Sequence, residues 1–267
     1  MNIFNQLIKS LYSPKDIATF RFQGIGKTIF YVFLLMAIIS IPNAISLSTT
    51  AYQGVNYLAT SLQEEIPDFA FQNGVLTSDL SSPYIDGDDN AVFILDSTGQ
   101  LSVDDIYEYD NGLALLEREA VIMTDGMAET VRYRDLGNLN LTKEEISGLV
   151  NGVADVLPVI LSIILLLLYL FFTALKFIGV TVLALIGLML KNKAGQNLKY
   201  RHLWILSAYT VTLATALFAL TEAFGIYIPF SFLFYWVIAI FMLYRVLHYV
   251  PKPTPRNDVE TTPPVTD

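Results

Sequence analysis

Four long apolar runs constrain this chain more than any other feature of its sequence. They cover residues 28–47, 156–190, 203–224 and 230–249. A helix needs about 20 apolar residues to cross a hydrocarbon core about 30 Å thick. We therefore expect an α-helical multi-pass membrane protein. The first run is longer than the roughly 7–15 apolar residues of a cleaved signal peptide, so we predict that it is an uncleaved anchor.

The charged residues are divided unevenly between the segments that these runs separate. Residues 49–155 hold 20 of the 25 acidic residues and only four basic ones, a net charge of −16, whereas the rest of the chain carries +7. Short loops rich in lysine and arginine stay on the cytoplasmic side of a membrane. We therefore predict a bacterial plasma-membrane protein with cytoplasmic termini and with 49–155 outside the cytoplasm. The cations that determine this topology are Lys191, Lys193, Lys199 and Arg201.

The run 156–190 contains a single charged residue, Lys176. As one helix it would be about 52 Å long, more than one bilayer requires, yet it is too short for two spans and a turn. We predict one crossing up to Lys176, followed by a re-entrant or bent apolar segment over 177–190, and hence four spans. Gly179 and Gly187 would lie on nearly one face and pack closely against a neighbouring span. Two complete spans within this run, giving five in total, are the alternative.

Residues 68–137 have the pattern of a small antiparallel β domain. Short strand-like runs alternate with turn residues such as Asn73-Gly74 and the segment Asp96-Ser97-Thr98-Gly99, which suit tight hairpins. On either side, apolar residues recur at helical spacing, and Thr142 and Glu145 form a capping box that begins the second helix. We predict a β domain on a two-helix stalk. The expected strands are 69–72, 75–78, 91–95, 113–117, 120–123 and 130–136.

The first 27 residues predict two short helices at the cytoplasmic surface. Residues 2–12 carry apolar side chains on one face, and Ser13 and Pro14 are suited to begin a second helix. The first helix is expected either to lie in the membrane interface or to pack on the cytoplasmic ends of the bundle. The predicted regions are cytoplasmic interfacial helices at 1–27, a first span at 28–47, an extracytoplasmic acidic β domain with stalk helices at 48–155, a membrane bundle at 156–249 and a disordered cytoplasmic tail at 250–267.

The sequence predicts no catalytic site and no cofactor. The chain has no cysteine, which excludes disulfides, thiolate metal sites and thiol catalysis. Asp86, Asp88 and Asn90 begin like a calcium-binding loop, but Ala91 and Ser97 stand where an EF-hand needs glycine and glutamate, so they are weak metal candidates in a solvated turn.

Two ionisable residues fall inside the apolar runs, where such residues are functional candidates by default. They are Lys176 and Glu222. We expect Lys176 near the inner membrane surface and Glu222 at the outer headgroups, and therefore no ion pair between them.

The opening segments IFNQLIKSLYSPKD at 3–16 and FRFQGIGKT at 20–28 resemble a family of Gram-positive bacterial membrane proteins. That family is classed as a domain of unknown function, and some members are labelled maltodextrin-utilisation proteins. The C-terminal spans also resemble, distantly, the Yip1-type membrane fold. The resemblance implies location, topology and a link to sugar uptake, and it carries over no catalytic residue.

These features predict a non-enzymatic accessory or scaffold protein. Its expected partners are the lipid bilayer and other membrane proteins, among them a sugar transporter, and not nucleic acid. A sensor that binds a ligand outside the cell and signals through its stalk helices is the alternative. Stand-alone transport is the third possibility.

Overall fold

The computed structural model describes residues 2–88, 91–124, 126–137, 140–193 and 198–251. The chain divides into two compact units. Met1–Leu47 and Ser162–Asp267 form the first, here called the helical unit, and Ser48–Leu161 form the second, called the β unit. The predicted tail beyond residue 251 lies outside the described residues.

The described residues form seven α-helices, and four of these are long and apolar enough to cross a membrane. The four are α3, α5, α6 and α7 in the numbering that follows. The helices are α1 (Ile3–Tyr12), α2 (Pro14–Thr19), α3 (Ile25–Glu64), α4 (Val103–Ile106), α5 (Lys143–Lys193), α6 (Tyr200–Ala223) and α7 (Ser231–His248).

Helix α5 corrects the prediction for the long apolar run. It is one helix of 51 residues, about 76 Å long at 1.5 Å per residue. Residues 177–190 therefore continue the preceding helix without a chain reversal, so neither the re-entrant segment nor the two separate helices that five spans require is formed. The physical reason is that a chain reversal would leave backbone groups unpaired in an apolar run that has no polar turn to satisfy them. The other predicted form, a bend near Gly179, stays a prediction.

Helix α6 forms the centre of the helical unit. Of its apolar span 61% is buried, compared with 17% for α5 and 28% each for α3 and α7. Gly187 packs closely here, as predicted: a Cβ added to it would lie 3.2 Å from Leu243 and 3.4 Å from Leu203. The same prediction is wrong for Gly179, because no atom lies within 4 Å of its added Cβ.

Helix α1 buries two polar side chains along with part of its apolar face, since Ile3 and Leu7 pack against the core of the helical unit. Gln6 and Ser10 are fully buried, whereas Phe4 and Ile8 are 55% and 53% exposed. The Tyr209 hydroxyl donates to Gln6 Oε1 at 3.2 Å, and Tyr209 lies nine residues, about 14 Å, along α6 from its start. Helix α1 therefore packs against the body of α6 and not on the ends of the bundle. Its outward apolar face is suited to an apolar surrounding.

Helix α2 begins as the sequence predicts. The Ser13 side chain accepts from the Asp16 backbone N–H, and Pro14 occupies the first turn. The Asp16 carboxylate accepts hydrogen bonds from Lys9 and Ser13, which hold its pKa below the ordinary value.

The β unit contains a three-stranded sheet in the order β2-β1-β8 and a five-stranded sheet in the order β3-β4-β5-β6-β7. The Asn73-Gly74 turn joins β1 and β2 with positive φ at both residues, as predicted. The last expected strand ends at Arg132 and is followed by a 3₁₀ helix, Tyr133–Leu136. The strands are β1 (Phe69–Gln72), β2 (Val75–Ser78), β3 (Tyr84–Asp88), β4 (Ala91–Leu95), β5 (Gly112–Leu115), β6 (Glu119–Thr124), β7 (Met127–Arg132) and β8 (Asn140–Thr142).

The sheets are antiparallel except where β4 pairs with β5 in parallel. The segment Asp96–Gly99 is therefore not a hairpin turn as predicted. It begins the crossover, containing α4, that a parallel pair requires. Asp96 is fully buried and accepts from the backbone N–H groups of Thr98 at 2.8 Å and Leu101 at 2.7 Å. Burial alone raises the pKa of this carboxyl, but the hydrogen bond from the Thr98 hydroxyl, together with those from the backbone N–H groups, outweighs it and leaves the pKa below its ordinary value.

The two helices predicted to form a stalk contribute to one apolar cluster of the β unit. Leu62 of α3 belongs to the same apolar cluster as Ile146 and Val150 of α5. The predicted capping box is present, because Thr142 and Glu145 each accept from the other's backbone N–H, at 3.2 and 2.9 Å. Lys143 Nζ also donates to the Ile66 carbonyl at 2.6 Å.

Candidate functional site

A cavity of about 480 Å³ lies in the helical unit among α3, α5, α6 and α7. Its wall is mainly apolar and aromatic, with a small number of polar groups, which is the usual character of a ligand site. We call it the Lys176 cavity. Its polar lining residues are Ser40, Asn43, Lys176, Thr215, Glu222 and Tyr235.

Neutral groups hold the ammonium group of Lys176. Its Nζ donates to the Thr215 hydroxyl at 3.0 Å and to the Tyr235 hydroxyl at 3.2 Å, and it lies 4.8 Å from the Tyr235 ring centroid. An ammonium group has three N–H donors, so these two contacts leave one for a ligand. The aromatic face adds a cation–π attraction that helps to keep the charge in an apolar wall.

The structure places Lys176 away from the basic ends of the helices, whereas its predicted depth near the inner membrane surface stays a prediction. Gly187 of the same helix packs against Leu203, at the start of α6. Lys176 lies 11 residues, about 16 Å, from Gly187 along α5, and its partner Thr215 lies well beyond the middle of α6. The ammonium group is therefore closer to the α6–α7 connection than to the basic ends of these helices.

Glu222 lines the same cavity near the end of α6. Asn43 of α3 donates its amide to Glu222 Oε1 at 3.2 Å. The structure thus brings to one cavity two residues that the sequence analysis placed near opposite membrane surfaces. Among the described residues, no ion pair within 4.0 Å joins Lys176 and Glu222. The cavity therefore presents a cation and a carboxylate that are not in direct contact with each other.

The chain matches, over residues 4–247, a family model described as "Protein of unknown function (DUF1189)". It belongs to this family. No curated protein and no solved structure matches it. The resemblance to an uncharacterised family is confirmed, while the maltodextrin label and the Yip1-type likeness stay predictions. The match includes every polar residue of the Lys176 cavity in this DUF1189 protein.

Two of the three weak metal candidates lie in a strand and not in a turn. Asp86 and Asp88 lie in strand β3, where their backbones pair with Phe93 and Ala91 of β4, and Asn90 lies outside the described residues. Among the residues that the structure describes, no group of three or more histidines or carboxylates has the spacing of a metal site.

The four cations that the sequence predicts to determine topology flank residues 194–197, which lie outside the described part of the chain. Lys191 Nζ donates to the Leu198 carbonyl at 2.7 Å, and Lys193 is the last residue of α5. Lys199 precedes α6, and Arg201 is in its first turn. Both are exposed.

Sequence reasoning missed the neutral polar residues that position the two charges. Asn43, Thr215 and Tyr235 belong to three different helices of this DUF1189 protein. The available signal was the occurrence of hydrogen-bonding side chains within otherwise apolar spans, where each needs a partner. A second polar cluster was missed in the same way: Tyr31 and Thr212 share a hydrogen bond of 2.6 Å beside the buried Gln6–Tyr209 pair.

Proposed function

We propose that this DUF1189 protein is a non-enzymatic accessory or scaffold protein of the bacterial plasma membrane. In this proposal the basic segments are cytoplasmic and the β unit, with its net charge of −16, is displayed outside. The positive-inside rule supports this orientation. The sugar-uptake link implied by the family resemblance makes a carbohydrate transporter the first partner to test.

The observation that carries the proposal is the open surface of α5. Its apolar span has the highest mean hydropathy of the four, 2.8, yet only 17% of it is buried within the chain. Large side chains at neighbouring positions, including Leu166, Leu167, Leu170 and Phe171, are exposed along it. Membrane helices associate through side-chain packing. A long helix with this much free surface supports lateral association with a second membrane protein.

The test is co-purification of the full chain from its native membranes in mild detergent. We expect a stoichiometric membrane partner with the wild type. The double change Leu167→Ala and Phe171→Ala should release it, because it truncates the exposed face of α5. Phe241→Ala, which truncates an exposed side chain on α7, is the matched control and should retain the partner.

Absence of any stoichiometric partner would contradict the scaffold role, and equal retention by the α5 variant would exclude this face. A sensor is the second candidate because α3 and α5 each continue, as one helix, from the helical unit into the β unit. That connectivity would allow a ligand bound by the β unit to shift a membrane helix. The sensor predicts a ligand-dependent change in hydrogen exchange along α5 without a co-purifying partner.

A further inference from the structure

We infer that the Lys176 cavity binds a zwitterion, a ligand that carries an anionic group and an ammonium group a short distance apart. The geometry favours a zwitterionic lipid headgroup such as that of phosphatidylethanolamine over a soluble zwitterion. This inference is independent of the accessory role proposed above, since it concerns a ligand held by this chain alone.

The cationic end of the site is the ammonium group of Lys176. Its two protein partners are hydroxyl groups of Thr215 and Tyr235. Hydroxyls orient the ammonium group but do not neutralise its charge. A phosphate or carboxylate oxygen that accepts the third N–H would form a charge-assisted hydrogen bond, which is about twice as strong as a neutral one. The cation is thus positioned and left available for an anion.

The anionic end is the carboxylate of Glu222, which accepts one hydrogen bond from Asn43. A carboxylate has two oxygens and about four acceptor positions, so most of its capacity is free for a ligand ammonium group. Glu222 lies seven residues, about 10 Å, beyond Thr215 along α6. The two charges therefore lie at different levels of one cavity, with Glu222 closer to the α6–α7 connection.

This pair of charges discriminates against ligands of a single sign. An anionic ligand would gain Lys176 but meet the repulsion of Glu222, and a cationic ligand would meet the reverse. A zwitterion with its anion towards Lys176 and its ammonium towards Glu222 satisfies both.

The wall of the cavity favours a lipid as the source. Phe172, Leu175 and Phe232 line the cavity and are also exposed, at 52%, 47% and 71%, so the cavity opens along surface that is suited to acyl chains. The rings of Tyr235 and Trp236 pack at its edge with centroids 6.1 Å apart. Tyrosine and tryptophan are enriched at the headgroup level of membranes. A headgroup in the cavity would leave its chains against the apolar wall.

The test is native mass spectrometry of the detergent-solubilised full chain, titrated with phosphatidylethanolamine and phosphatidylglycerol of identical acyl chains, and with free phosphoethanolamine. We expect the wild type to bind phosphatidylethanolamine about tenfold more tightly than phosphatidylglycerol, the factor expected of one hydrogen bond between charged groups. Glu222→Gln keeps the shape of an exposed residue and should abolish that preference. Lys176→Met should weaken both lipids. Lys15→Met, at an exposed lysine of α2 outside the cavity, is the control and should change neither.

Glu222→Gln decides the question even if Lys176→Met does not fold, because its readout is the ratio between two lipids. Equal binding of both lipids by the wild type, or an unchanged ratio in Glu222→Gln, would overturn the inference. If free phosphoethanolamine displaces the phospholipid at equal concentration, the zwitterion site stands and a soluble ligand replaces the lipid as its source.

Discussion

Gly187 offers the sharpest test of how the helical unit is packed, because Gly179 on the same helix provides a matched control. A Cβ at Gly187 would lie 3.2 Å from Leu243 Cδ2, 3.4 Å from Leu203 Cδ2 and 3.7 Å from Leu203 Cβ. At Gly179 the same atom meets nothing within 4 Å. Both glycines lie inside α5, so their backbone effects are equal and only the packing differs.

The expected magnitudes follow from two opposing effects. Replacing a helical glycine by alanine gains up to about 1 kcal/mol of helix propensity, so Gly179→Ala should stabilise the protein by roughly that amount. At Gly187 the new methyl group must displace the ends of two leucine side chains, and Gly187→Ala should be close to neutral. Gly187→Leu adds three more carbons to filled space and should cost about 1–3 kcal/mol of overpacking. Gly179→Leu should cost nothing comparable.

The assay is equilibrium thermal unfolding of the full chain in one detergent, followed by circular dichroism at helical wavelengths. A difference of about 2 kcal/mol between the two leucine variants corresponds to roughly 4–8 °C in midpoint for a chain of this size. Equal midpoints for Gly187→Leu and Gly179→Leu would refute the packing of α5 against Leu203 and Leu243. A lower midpoint for Gly179→Leu alone would show that the open space beside that residue is filled in the folded protein.

Three further predictions concern topology, pH and ions. Single cysteines can be introduced at Ser81 and at Gln196 because the chain has none of its own. On intact cells an impermeant thiol reagent should label the cysteine at position 81 and not the one at position 196. The reverse pattern would overturn the proposed orientation. Because the pKa of Asp96 is lowered in the folded state, its carboxylate adds stability above the unfolded value of about 3.9 and loses it as pH falls through the folded pKa. Asp96→Asn should therefore increase hydrogen exchange at the Thr98 and Leu101 amides about tenfold at pH 7, and this effect should diminish as pH falls through the lowered pKa of Asp96 in the folded state. An effect that persists unchanged at the lowest pH at which the protein stays folded would contradict this role. The net charge of −16 on residues 49–155 causes repulsion within the β unit, and cations screen that repulsion. The β unit should therefore be more stable in millimolar divalent ions and, to a comparable extent, in high monovalent salt. Stabilisation by micromolar divalent ions alone would reveal a specific metal site.

Signals between residues close together in sequence were enough to predict much of this fold. The apolar runs predicted the four long helices. The capping box of Thr142 and Glu145, the helix start at Ser13-Pro14 and the turn at Asn73-Gly74 all form as expected. Each depends on groups within about four residues of one another, so their geometry is set before distant parts of the chain meet. Membership of an uncharacterised family was likewise visible in the opening residues.

Predictions failed where the outcome depended on partners far away in sequence. Periodicity shows that α1 has a polar and an apolar face, but it does not show that Gln6 of the polar face is buried. That outcome depends on the contact with Tyr209, 203 residues away. The turn-forming residues at 96–99 suit a hairpin and a crossover equally, and the pairing of β4 with β5 decides between them.

The candidate site shows the same division most clearly. The sequence by itself identified Lys176 and Glu222, because ionisable residues are costly in an apolar span. It did not show that both line one cavity. That arrangement depends on Thr215, Tyr235 and Asn43, which reach the two charges from three different helices. A charge in an apolar run is a local fact of the sequence, whereas the partners that stabilise it are determined by how the helices pack.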